Sequence, residues 1–194
     1  MYGVGSTIEL FRDPPNSLNS RVWTIPASTG LVEVNGGVCT IQAENTITEH
    51  SFIRLKQGWK GSSDGPAIWQ AQIRVARSGS AFLLEFGLTE DDWTDSMRFQ
   101  AVSNSTTQLT PSVDDTGEDV GTGVNITDNE WHIYKIKANA GDEIEFYIDN
   151  VLKDTFTSTA EIPWDKTLHP YFRVRDDDGS SDSLININWM KLAF

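Results

Sequence analysis

The sequence predicts an all-β chain, an antiparallel two-sheet β-sandwich forming one domain over residues 1–194. Two observations carry this. Apolar and polar residues alternate with period two in run after run, each bounded by Gly, Asp, Asn, Ser or Pro, and helical periodicity is almost absent. The chain has 194 residues with no repeat and no Pro-rich or Ser-rich linker, a length that buries most of its surface as a single unit.

The elements follow in order. Strands at 31–34 and 38–42 are joined in VEVNGGVCTI by the turn Asn35-Gly36-Gly37, and Cys39, the single cysteine, reads as a small buried core residue among β-branched neighbours. After a strand at 52–56, the strand 67–76 puts Ala67, Trp69, Ala71, Ile73 and Val75 on one face, with Ile68, Gln70, Gln72 and Arg74 opposite. In 81–88 the core face is Phe82, Leu84, Phe86 and Leu88, opposed by Leu83, Glu85 and Gly87; in 96–103, Met97, Phe99 and Ala101 oppose Arg98 and Gln100. Residues 104–130 have low hydrophobicity and read mostly as one long polar loop. A strand at 131–138 precedes a hairpin, 143–149 and 151–156, whose turn Asp149-Asn150 suits residues that tolerate a left-handed backbone. Strands at 168–175 and 184–193 complete the set; in the former, Phe172 and Val174 oppose Tyr171, Arg173 and Arg175.

Several strands thus pair an apolar face with one rich in Gln, Arg, Glu and Tyr. Such planar side chains make paired hydrogen bonds or stack on rings, which suits a sugar better than bulk water. The candidate ligand-binding set is Gln70, Gln72, Arg74, Glu85, Arg98, Gln100, Tyr171 and Arg173, helped by Trp59 and Trp93 from polar loops, while Trp69 and Trp131 read as core. A plain solvated sheet face is the alternative.

Charge narrows the partners. A net charge of −13 and a pI of about 4.5 argue against nucleic acid or an anionic membrane as the main partner. No run approaches the length of a membrane span, and MYGVGSTIELF lacks the pattern of a signal peptide. Three acidic clusters, in TEDDWTDS, DDTGED and RDDDGSSDS, offer hard oxygen ligands, and Asp176, Asp177, Asp178 and Asp182 are the candidate structural calcium site, although none has EF-hand spacing. The three histidines are too scattered for zinc, and Asn104 and Asn125 match the glycosylation acceptor pattern in a stretch rich in Asn, Ser and Thr.

The segments RVWTIPASTGLVEVNGGVCTIQA, NEWHIYKIKANAGDEIEFYIDNVLKDTF and SLININWMKLAF together resemble the concanavalin A-like lectin/glucanase jelly rolls, which include laminin-G-like domains, glycoside hydrolases and polysaccharide lyases. The resemblance covers most of the chain but is one of fold. It implies two catalytic glutamates and an aspartate alternating on one strand in the retaining glucanases; the comparable strand here offers Glu85 between Leu83 and Gly87, with Glu145 as the one candidate partner carboxylate. Gln72, Arg74, Tyr171 and Arg173, with His132 and Tyr134 on another strand, only loosely match the lyase pattern. The expectation is a non-catalytic glycan-recognition or adhesion module at an extracellular or virion surface. The alternatives are a structural subunit contacting copies of itself, and a lyase or hydrolase of the same fold.

Overall fold

The computed structural model describes residues 18, 20–25, 30–43, 50–77, 82–91, 93–102, 108–114, 118–139, 143–157, 162–176 and 183–194. Strands follow one another as β1 (Trp23–Thr24), β2 (Leu31–Asn35), β3 (Val38–Gln42), β4 (His50–Leu55), β5 (Ala67–Ala76), β6 (Phe82–Thr89), β7 (Ser96–Val102), β8 (Gln108–Asp114), β9 (Glu118–Val120), β10 (Val124–Asn125), β11 (Trp131–Ala138), β12 (Ile144–Ile148), β13 (Val151–Phe156), β14 (His169–Asp176) and β15 (Leu184–Ala193). A four-residue helix, α1 (Gly61–Asp64), precedes β5, and among the described residues no helix is long and apolar enough to cross a membrane.

Two antiparallel sheets form. The eight-stranded sheet runs β1-β4-β14-β6-β7-β8-β10 with β9 paired to β8, and the seven-stranded sheet runs β13-β12-β11-β5-β15-β3-β2. Their inner faces meet in an apolar layer because each strand alternates, as Ala67, Trp69, Ala71, Ile73 and Val75 do along β5. Aromatic rings bridge the two sheets: Phe86 of β6 packs edge-on to Tyr134 of β11 at 4.8 Å, and Phe99 of β7 edge-on to Phe146 of β12 at 5.2 Å. Each ring buried this way stabilises by roughly 2–3 kcal/mol from removed apolar surface. Cys39 lies in the same layer, fully buried, and burial pushes its thiol up to about 12, which makes it inert as a nucleophile at neutral pH.

Both hairpins have two-residue turns with left-handed backbone at each turn position: Gly36 (φ 58°) and Gly37 (φ 83°), Asp149 (φ 52°) and Asn150 (φ 64°). Asn35 pairs with Val38 and so belongs to its strand, not to the turn.

Two expectations are corrected. Residues 104–130 hold more than the one short strand their composition allows: of the twenty described among them, twelve lie in β8, β9 and β10. Leu109, Pro111 and Val113 turn inward while Thr110, Ser112 and Asp114 turn outward, so β8 is a half-buried strand with modest hydrophobicity and a proline that disguises it. Trp131 is not core: it is 37% exposed, since Tyr134, Ile136 and Ala138 occupy the inward positions of β11 and Trp131 shares its parity with Ile133, Lys135 and Lys137.

Candidate functional site

The outward face of the eight-stranded sheet is built from strand register. One row across the strands reads Arg54 (β4), Tyr171 (β14), Gly87 (β6), Arg98 (β7) and Ser112 (β8); the next reads Phe52, Arg173, Glu85, Gln100 and Thr110. Adjacent strands lie about 4.8 Å apart, so these side chains stand shoulder to shoulder.

Although they point away from the core, several are buried: Tyr171 is 1% exposed, Glu85 6%, Arg98 9% and Gln100 9%. The centre of this face is therefore sunk beneath its neighbours' side chains, a shielded recess and not an open cleft. Charge is the reason the group is stable there. The Glu85 carboxylate meets Arg98 Nε and Arg173 Nη1, each at 3.4 Å, and Arg98 reaches Asp114 at 3.9 Å. Arg98 also donates from Nε to Gln100 Oε1 at 3.3 Å and from Nη1 to the Ser96 hydroxyl. Such pairing offsets part of the desolvation that burial imposes on carboxylate and guanidinium alike. Burial and the nearby Glu85 carboxylate push the Tyr171 hydroxyl well above its ordinary range, so it stays protonated.

One loop residue overhangs the recess. Trp93 has φ 69°, a left-handed conformation that strains a bulky side chain and is sustained only where surroundings enforce it. Its ring packs edge-on to Phe52 at 4.9 Å and to Tyr171 at 5.2 Å, and the Arg173 guanidinium lies over it at 5.0 Å. Arg54, on the same side, holds this loop by an ion pair to Asp91 at 2.9 Å and a bond from Nη1 to the Asp91 carbonyl at 3.0 Å.

No protein-family model matches this sequence, and no curated protein matches it. Solved structures do match over nearly the whole chain. An endo-acting O-glycanase from human gut microbiota shares 11% identity at TM-score 0.76, covering 98% of this chain and 99% of that one. A carbohydrate recognition domain solved in a potassium-bound form shares 13% at 0.68, covering 100% and 98%. An immunostimulatory antigen and pseudo β-1,3-glucanase of Mycobacterium tuberculosis shares 13% at 0.67, covering 93% and 92%.

The fold is the concanavalin A-like jelly roll.

On this jelly roll the ten residues expected to share a site do not all meet. Glu85, Arg98, Gln100, Tyr171 and Arg173 come together, with Trp93 against them. Gln70, Gln72 and Arg74 do not: β5 lies in the seven-stranded sheet, and its outward face is on the far side of the sandwich. Trp59 is also excluded, being fully buried, with its indole N–H donating to the Gly65 carbonyl at 2.9 Å and its ring edge-on to Trp164; it anchors the loop before α1 to the core. Phe52, Arg54, His50 and Arg175, which also line this face, were not in the expected set; the alternation in HSFIRL that would have pointed to three of them is only six residues long.

For the acidic clusters, Asp176 is buried at the end of β14, and Asp177, Asp178 and Asp182 lie outside the described residues. Among the described residues no group of three or more His, Cys, Asp or Glu side chains is arranged to hold a metal ion. Asp95 is engaged at 3.1 Å by Lys166 and Asp91 by Arg54. Asn125 is an exposed residue of β10, and Asn104 lies outside the described residues.

Glu145 cannot serve Glu85 as a partner carboxylate, because β12 belongs to the other sheet. It instead accepts bonds from Lys137 Nζ at 2.6 Å, the Tyr147 hydroxyl at 2.8 Å and the Asn139 amide at 3.0 Å; chiefly the lysine bond holds its carboxyl down at about 2. A depressed carboxyl stabilises the fold above its unfolded value of 4.5 and loses that contribution as pH falls towards 2. Glu145→Gln is therefore expected to be less stable than the parent at pH 7, with the difference shrinking below pH 4.5 and gone near pH 2, as read from urea midpoints across that range.

Proposed function

We propose that this chain is a non-catalytic glycan-recognition module that acts outside a cell or at a virion surface, binding sugar in the recess of the eight-stranded sheet. The observation that carries the reading is the cluster of Trp93, Tyr171 and Arg173 beside Arg98 and Gln100. A pyranose has an apolar C–H face, which suits an indole ring held over a recess, and vicinal hydroxyls, which suit planar guanidinium, amide and carboxylate groups. The glycan-related names of the structural neighbours support the same substrate class, and one of them is described as a pseudo-glucanase.

The state of Glu85 supports recognition without hydrolysis. Glycoside hydrolysis needs two carboxyl groups flanking the bond. Here the central carboxylate is shared between two arginines, its same-face neighbours on β6 are Leu83 and Gly87, and the Arg98 guanidinium stands between it and Asp114.

Retention on immobilised neutral and anionic polysaccharides, with released products scored in the same incubations, tests this. Retention without products is expected, and Trp93→Ala and Arg173→Ala are each expected to weaken it by about 1–2 kcal/mol, roughly 5- to 30-fold. Released oligosaccharides would overturn the non-catalytic reading, and undiminished retention in both variants would move the site elsewhere.

The edge strand β13 favours a second reading, self-association. Among the described residues it pairs with β12 alone, and its first residues, Val151 (56%) and Leu152 (49%), are an exposed apolar edge for strand addition by another copy, while Thr122 bonds Asp154 further along. Light scattering that stays monomeric up to millimolar concentration would reject it.

A further inference from the structure

The outward face of the seven-stranded sheet carries a second, different arrangement. Three cations there each lie against an aromatic ring: Arg74 over Trp131 at 5.1 Å, Lys135 over Tyr147 at 3.8 Å and Lys191 over Trp189 at 5.3 Å. The first two pairs are cross-strand partners, β5 with β11 and β11 with β12. The third exists because of a β-bulge. Register along β15 passes from Ile187↔Ile73 directly to Trp189↔Gln72, so Asn188 is an extra residue, and Met190 and Leu192 turn inward while Trp189 and Lys191 turn out. An uninterrupted strand would send Trp189 and Lys191 to the core. The Asn188 amide bonds Gln72 Oε1 at 2.7 Å.

No ion pair among the described residues neutralises these three cations, although Glu33 of β2 stands outward three strands from Arg74 in the same row. Among the described residues none of Arg74, Lys135 and Lys191 forms an ion pair with a carboxylate, and Glu145, the acid nearest in register, is taken up by Lys137, Tyr147 and Asn139. A ring stabilises a cation without neutralising it. In a protein of net charge −13, three such cations on one sheet face stand out against the surrounding field.

Register gives their spacing. Lys135, Gln70 and Lys191 form one row across β11, β5 and β15. At the usual interstrand distance the two lysines stand about 10 Å apart, and Arg74, four residues along β5 from Gln70, about 13 Å from that row. Charges so separated match a linear polymer whose anions are spaced by uncharged units. Half-exposed rings suit the C–H faces of those units, and Gln70 and Gln72 between the cations suit their hydroxyls.

We propose that this face is a second binding surface, for linear acidic polysaccharide bearing carboxylate or sulfate groups. It lies across the core from Trp93 and Arg173, and so is independent of the recess. Cations and aromatics on a sheet also suit single-stranded nucleic acid, but a densely charged strand meets the repulsion of the acidic molecule as a whole.

The test is retention of the whole protein on beads carrying hyaluronate or κ-carrageenan, which bear one carboxylate or one sulfate per disaccharide, neutral dextran or polyuridylate, over rising NaCl. The expected result is salt-sensitive retention by one or both acidic glycans. It should weaken about tenfold in Arg74→Gln/Lys135→Gln/Lys191→Gln, three ionic contacts at the surface being lost, and persist in the charge-keeping Arg74→Lys/Lys135→Arg/Lys191→Arg. Thermal midpoints of both variants establish that each is folded. Hyaluronate against κ-carrageenan tells carboxylate from sulfate recognition at the same one charge per disaccharide. No retention by either at low salt, unchanged retention in the glutamine variant, or polyuridylate bound as tightly as the glycans would overturn the proposal.

Discussion

Gly87→Ala is expected to lower the thermal midpoint by roughly 10 °C. Gly87 has φ 152°, and a Cβ there would lie 2.2 Å from the Met97 carbonyl oxygen, 2.9 Å from Arg98 Cα and 3.0 Å from Ile136 Cδ1. The first two are backbone atoms of β7, the hydrogen-bonded neighbour of β6, so relief requires the strands to part. Backbone strain and overpacking each cost about 1–3 kcal/mol, and a chain of this size loses about 2–4 °C per kcal/mol. Gly36→Ala is the control: it has φ 58° with nothing within 4 Å of the added atom, so it meets the strain without the clash. Equal midpoints for the two variants would show that β6 and β7 yield easily. Because Gly87 pairs with Arg98, the same shift should also loosen the recess and weaken glycan retention.

Arg98→Ala should rank next, costing about 2–4 kcal/mol, somewhat less than a fully orphaned buried charge because Arg173 still meets Glu85. The loss comes mainly from leaving Glu85, 6% exposed, with one cation in place of two. A pairwise test separates this from lost packing. Glu85→Gln with Arg98→Met should be less destabilised than the sum of the single variants by about 1–3 kcal/mol, because removing both charges leaves neither stranded. Additive losses in urea denaturation would mean the two side chains do not depend on each other. Such a result would also remove the reason for regarding Glu85 as a charge held in place for a ligand.

Eleven of the fifteen described strands were legible in the sequence to within two residues, because alternation and turn residues are local signals; β1 and β8 to β10, short or low in hydrophobicity, were not. β5, β11, β13 and β15 fall at the expected bounds. Alternation also tells which residues face the core, and it separates Arg98 and Gln100 from Met97 and Phe99 correctly. It cannot tell which sheet a strand joins. Gln70, Gln72 and Arg74 look equivalent to Arg98 in pattern, yet β5 sits between β11 and β15, a consequence of pairings far apart in sequence. Trp131 failed differently, since its parity with Lys135 and Lys137 already put it outside and its aromatic character outweighed that cue. The overhang of Trp93 rests on a backbone angle that no periodicity encodes.

The strand order has a consequence for how the chain reaches this state. β14 lies in the middle of one sheet, between β4 and β6, and β15 in the middle of the other, between β5 and β3. During synthesis everything up to residue 168 can form hairpins, but each sheet remains two separate ribbons until these strands emerge and are inserted. A ribosome therefore carries an incomplete molecule with four unsatisfied strand edges for most of translation. Folding must wait for late, distant pairings, which makes it slow, and the vulnerable interval is the one before β14 and β15 arrive.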